Sequence, residues 1–149
     1  GYPVIDLNLY FADIHRYLRC LEEVIILALN AYGIEAAREP ELTGVWVDGE
    51  KIAAIGVKVS KWITMHGFAL NVSTDLSRFS RIIPCGIFHK GVTSMERILG
   101  EEVAIDDIRK KLTDAFALVF GCEPSSMSYD ALQRLIMSFE PAHVRTNNV

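Results

Sequence analysis

The sequence predicts an α+β domain. Three observations carry this: a long helical stripe near the start, a central block of β-rich runs joined by turn signals, and two further helical stripes after it. The 149 residues are one domain's worth of chain. A chain of this size buries roughly 68–70% of its unfolded surface, so it needs no disulfide or metal staple. Half of it is hydrophobic and 23% is charged, which excludes a disordered or low-complexity chain.

Taken in order, Tyr2 to Leu7 (YPVIDL) reads as a short strand with Pro3 near its start. Ile14, Tyr17, Leu18, Leu21, Val24, Ile25 and Ala28 then follow i, i+3, i+4 spacing. With Asp13 as N-cap and Gly33 as terminator, a helix runs from about residue 13 to 32. Ala36 to Leu42 (AAREPEL) is polar, carries Pro40 and reads as loop. Val45–Val47 and Ile52–Val59 flank Asp48-Gly49, a hairpin signal. Gly67 to Val72 is another strand, Leu76 to Phe79 one helical turn, and Ile82 to Gly86 a constrained corner. Val92 to Leu99 is ambiguous between strand and helix. Ile105, Ile108, Leu112, Phe116 and Val119 mark a second helix, with Asp106 and Asp107 at its positive end and Gly121 as its stop. Tyr129, Leu132, Leu135, Ile136 and Phe139 mark a third, ended by Pro141, and the last eight residues read as frayed.

Several function classes are disfavoured. Lys plus Arg is 15 against 19 for Asp plus Glu, a net charge of −4, unsuited to binding by phosphate neutralisation. No apolar run exceeds six residues, the length of Val24 to Leu29, where a membrane span needs about 20. Three cysteines (Cys20, Cys85 and Cys122) without C-x-x-C spacing point to reduced thiols inside a cell. No targeting segment is visible, and a start at Gly1 within a strand-like run reads as trimmed or partial. Gly44-x4-Gly49-Glu50-Lys51 has Glu where a phosphate loop needs Lys, and there is no dinucleotide fingerprint. Cys85, His89 and His66 lack a helix to present them as metal ligands. Asn71-Val72-Ser73 is a chance sequon in a reduced compartment.

Two features point toward chemistry. Cys85 lies in Pro-Cys-Gly, where Pro84 stiffens the approach and Gly86 leaves the sulfur accessible; Cys20 and Cys122 have no such setting and read as structural. A buried, inert thiol is the ordinary alternative for Cys85. A nucleophilic cysteine needs a cation: bringing a thiol from its ordinary pKa of about 8.5 down to about 7 takes roughly 2 kcal/mol and makes about half of it thiolate. Lys51, Lys58, Lys61, His66 and His89 are candidates, although a solvated strand end is the more ordinary reading of Lys51. The second feature is small residues: Ala53, Ala54 and Gly56 in one strand, Gly67 and Ala69 in another. Side by side they would form a narrow slot for an acyl chain, or equally a close strand-on-helix contact.

The run Thr43–Leu76 (TGVWVDGEKIAAIGVKVSKWITMHGFALNVSTDL), with IIPCGI at Ile82–Ile87 and GVTS at Gly91–Ser94, resembles the lipoyl(octanoyl) transferase family. The opening GYPVIDL and IHRYLRCLEE at Ile14–Glu23 fit the same family, and the resemblance covers about residues 1–99. It implies a biotin/lipoate protein ligase-like fold, with a mixed, largely antiparallel sheet flanked by helices. It further implies transfer of an octanoyl group from octanoyl-acyl carrier protein to a lysine of lipoyl domains, those of 2-oxoacid dehydrogenases and the glycine cleavage H protein, with no cofactor. Cys85 matches the cysteine that forms the acyl-thioester and Lys51 its lysine partner. Ala54, Ile55 and Gly56, and Gly67, Phe68 and Ala69, match substrate-contacting segments, and His66 helps shape the site. On this reading residues 1–121 are the catalytic domain without its N-terminal part, and 122–149 a C-terminal extension, helical then frayed.

The family also carries upstream Arg-Gly-Gly and His-Gly-Pro-Gly-Gln segments, absent from 1–149. An inactive fragment, or a docking module for acyl carrier protein or lipoyl domains, is therefore the alternative; an ATP-using ligase of the same fold is a third. Trp62–Asn71 is most like plastid-type members, so the expected location is a plastid or mitochondrion, with bacterial-type cytoplasm as the alternative. Because the partners are acidic, a local basic surface is expected from Arg38, Lys58, Lys61, Arg78 and Arg81.

Overall fold

A computed structural model describes residues 1–81 and 91–139. The early helical stripe forms α1, Ile14–Asn30. The Asp13 side chain caps it by accepting from the Arg16 N–H, and Gly33 follows its end at φ +72°. Four antiparallel strands come next: β1, Ala37–Glu39; β2, Leu42–Val47; β3, Glu50–Ser60; and β4, Ile63–Leu70, in the spatial order β1-β2-β3-β4. Asp48 and Gly49, both at positive φ, make the predicted hairpin turn between β2 and β3. After a 3-10 segment at Leu76–Arg81 come α2, Met95–Leu99; α3, Ile105–Phe120, stopped by Gly121 at φ +63°; and α4, Tyr129–Ser138.

The core lies between one face of the sheet and α1 with α3. Tyr17, Leu21, Val24 and Ile25 of α1 are buried with Val45, Val47, Ile52 and Ala53 of the sheet and Ile108 of α3. Phe116 and Phe120 stack on α3, and Tyr17 meets the Phe120 ring edge-on. Among the described residues no helix is long and apolar enough to cross a membrane.

Four expectations change. Tyr2–Leu7 runs beside β4, with Gly1 and Phe68 exchanging backbone bonds and the Thr64 N–H donating to Ile5, but it forms no regular strand. Pro3 lacks a donor, and the Ile5 N–H turns to the Thr64 hydroxyl instead of a ladder carbonyl. The expected loop Ala36–Leu42 contains β1 and the start of β2, folded back at Pro40 and Glu41. β4 begins at Ile63, four residues early, because Lys61 and Trp62 supply a positive-φ turn without glycine or asparagine. Val92–Leu99 divides: Val92 makes a parallel bridge to Lys51, and α2 follows the Ser94 cap. The corner at Ile82–Gly86 and the last residues, 140–149, lie outside the described residues. The stripe on α4 is helical as expected, yet none of its residues is buried.

Candidate active site

Strand register sorts the predicted residues between two faces. Residues directly opposite in an antiparallel pair share a face. Ala54 pairs with Ala69 and Gly56 with Gly67, which puts these small residues in adjacent rows and makes a floor of Ala54, Ala69 and Gly56. Ile55 pairs with Phe68, and both pack against the helical core on the other face. Phe68 there lines a cavity of about 520 Å³ with Val24, Leu112 and Phe116. Of the six expected substrate contacts, Ala54, Gly56 and Ala69 are exposed on one face, Gly67 is buried beside Gly1 and Pro3, and Ile55 and Phe68 belong to the core side. His66 pairs with Val57, in the row of Ile55 and Phe68, and is held at φ +66°.

The floor is open at Gly56, where an added Cβ would meet no atom within 4 Å. Packing among the described residues does not account for that glycine. Gly67 differs, since its Cβ would meet the Gly1 carbonyl oxygen at 2.3 Å.

Lys51 belongs to the same face. A register shift between Val45 and Trp46 sets Lys51 opposite Trp46. Val45 and Val47 point into the core, which turns Gly44 and Trp46 to the floor side. Lys51 is only 8% exposed, not a solvated strand end. Its Nζ donates to the Thr43 carbonyl oxygen at 3.3 Å and lies 4.6 Å from the centre of the Trp46 ring. It is three residues, about 10 Å along the strand, from Ala54.

At this end of β3 the neighbouring chain changes. The Asn71 N–H donates to Ile52, and beyond that point residues 91–93 replace β4: the Lys51 N–H donates to Gly91 and the Thr93 N–H to Lys51. The Asn71 side-chain amide bridges the two neighbours by donating to the Thr93 carbonyl oxygen, so the sequon asparagine is a structural link. Cys85 and His89 lie outside the described residues. Cys20 is half-buried on α1, and burial pushes its thiol pKa up. Among the described residues no group of three or more His, Cys, Asp or Glu could hold a metal.

Of the expected basic surface, Arg38 is otherwise engaged. It pairs with Glu22 at 3.1 Å and with Glu23, tying β1 to α1. Lys58 and Lys61 are exposed, near the β3–β4 turn. The residues missed from sequence are Glu22 and Gly44. Glu22 is fully buried, and its carboxylate accepts from Arg19, Arg38 and the Gly44 N–H. A carboxylate beside Leu21 and four residues from Leu18, on the apolar side of α1, was the available signal.

Residues 1–117 match the family described as lipoyl protein ligase A/B catalytic domain. The chain belongs to that family. An octanoyltransferase of Caldicellulosiruptor saccharolyticus is 52% identical over 138 residues, 91% of this chain and 59% of the relative. One from Rubrobacter xylanophilus is 56% identical over 127 residues, 85% of this chain and 56% of the relative. A crystal structure of lipoate-protein ligase A bound with ATP superposes with a TM-score of 0.65 at 18% identity, covering 86% of this chain and 56% of that one. The expected ligase-like α+β fold is therefore the observed one. The chain spans somewhat over half the length of the octanoyltransferases it matches.

Proposed function

We propose that this chain carries the nucleophile and the cation of an octanoyl transfer site. The thiolate of Cys85 attacks the carbonyl carbon of the octanoyl thioester on acyl carrier protein; the C–S bond of the donor breaks and the carrier thiol leaves with a proton. A neutral lysine amine of a lipoyl domain then attacks the Cys85 thioester, the C–S bond to Cys85 breaks, the amine gives one proton to Lys51, the amide forms, and the Cys85 thiolate is restored. The first exchange is nearly isoenergetic and the second ends in a more stable amide, so no nucleotide is required. As an ammonium, Lys51 stabilises the thiolate and gives its proton to the leaving carrier sulfur; as a neutral amine it then receives one from the incoming lysine.

The observation that carries this reading is the placement of Lys51. Its ammonium is held by the Thr43 carbonyl oxygen on the face bearing the Ala54–Ala69 floor, and its backbone N–H donates to the incoming Gly91. Cys85 precedes Gly91 by six residues, a tether of about 20 Å at full stretch. The floor suits an acyl chain because it is apolar, shallow and open over Gly56. Relatives named octanoyltransferase support the same chemistry.

Intact mass after incubation with octanoyl-acyl carrier protein tests it. An octanoyl mass gain is expected on the protein and is lost in Cys85→Ser. A gain that survives that substitution overturns the mechanism.

A further inference from the structure

Glu22 has no role in the chemistry just described, yet it is fully buried. Burying a carboxylate is costly unless charge and hydrogen bonds compensate. One oxygen, Oε2, accepts from Arg19 Nη1 at 2.7 Å and Arg38 Nε at 3.1 Å, which suffices to pin α1 to β1. The other, Oε1, accepts from the Gly44 N–H at 3.1 Å. That N–H and the Thr43 carbonyl belong to one peptide plane. The same carbonyl oxygen accepts from Lys51 Nζ at 3.3 Å. Carboxylate, peptide and ammonium therefore form one chain of hydrogen bonds from α1, through β2, to Lys51. A carboxylate on the N–H polarises the peptide and strengthens its carbonyl as an acceptor.

Gly44 completes the arrangement. It sits at φ +131°, and an added Cβ would lie 2.7 Å from the Ala53 carbonyl oxygen and 3.3 Å from Lys51 Cε. Glycine lets the peptide turn its N–H toward α1 while Lys51 packs across it.

We propose that Glu22 is a positioning residue: through the Thr43–Gly44 peptide it orients the carbonyl that holds the Lys51 ammonium. The proposal rests on the role given to Lys51 under Proposed function, but its test does not depend on that role.

The test uses Trp46 as reporter, because Lys51 Nζ lies against its ring. In a Trp62→Phe background Trp46 is the sole indole. Lys51→Met shifts Trp46 emission, and Glu22→Gln is expected to shift it the same way. The double variant should show no more than Lys51→Met alone. Full additivity, or wild-type emission in Glu22→Gln, overturns the proposal, since a purely structural Glu22 would not act through Lys51. Glu22→Asp keeps the buried charge but withdraws it from Gly44, and should reproduce the shift; wild-type emission there also overturns it. Should neither variant fold, the Gly44 amide resonance decides: Lys51→Met should move it more than the Ala54 amide, and an unmoved Gly44 overturns the proposal. In octanoyl transfer, Glu22→Gln should lower kcat about tenfold with KM unchanged, the scale typical of groups that orient a reacting residue. If Lys51→Met leaves transfer intact, the catalytic reading of Lys51 fails while the emission cycle still decides Glu22.

Discussion

Gly44 and Gly56 lie on the same face of the same sheet, on adjacent strands, and have opposite surroundings. Gly44 is hemmed in by the Ala53 carbonyl, the Lys51 side chain and the bond its N–H donates to Glu22. Nothing described lies over Gly56. One glycine is required by the protein's own packing; no packing among the described residues requires the other. Glycine in a strand thus has two distinct settings, and only the space around a hypothetical Cβ separates them.

Removing the ammonium held at the crowded end has the largest expected effect. Lys51→Ala should lower octanoyl transfer about a thousandfold while leaving the fold intact, as circular dichroism would report. Gly44→Ala comes next. Left-handed strain and the 2.7 Å approach to Ala53 should cost about 2–4 kcal/mol, read as a lowered Tm. Gly56→Ala should change stability by no more than about 0.5 kcal/mol, because its Cβ enters open space. Gly56→Val should nonetheless raise KM for the octanoyl donor, and unaltered kinetics would return Gly56 to a structural explanation. Charge reversal at Lys58 and Lys61, beyond the open end, should weaken donor binding severalfold at low salt and little at high salt. The smallest effect is a control: burial raises the pKa of Cys20, so less of it is thiolate at any given pH. Iodoacetamide should label it more slowly than a free thiol at pH 7.5, with the rate climbing only as pH passes the ordinary thiol range.

The long periodic elements were legible because their signals are local. α1 and α3 announce themselves by apolar spacing, and Asp48-Gly49 by turn chemistry. β1 was not, since Ala37–Glu39 is a polar edge whose partner, β2, decides its conformation. The start of β4 was missed because Lys61 and Trp62 occupy a backbone region that their side chains disfavour. Small residues were noticed in both strands, but only register separates Gly56 and Gly67 from Ile55 and Phe68. Lys51 drew attention through resemblance, whereas its supports lie 29 and seven residues upstream, at Glu22 and Gly44. A long-range bond between a helix carboxylate and a strand amide leaves no spacing to read.

The sheet's two margins also have a consequence for how this protein behaves in a crowd. One ends in a three-residue strand bearing Arg38 and Glu39, and the other is overlaid by residues 1–7 with Pro3 among them. A stranger's strand seeking to extend the ladder meets short length and charge on one side, and an occupied rim interrupted by proline on the other. Among the described residues, extension of the ladder is discouraged at both borders.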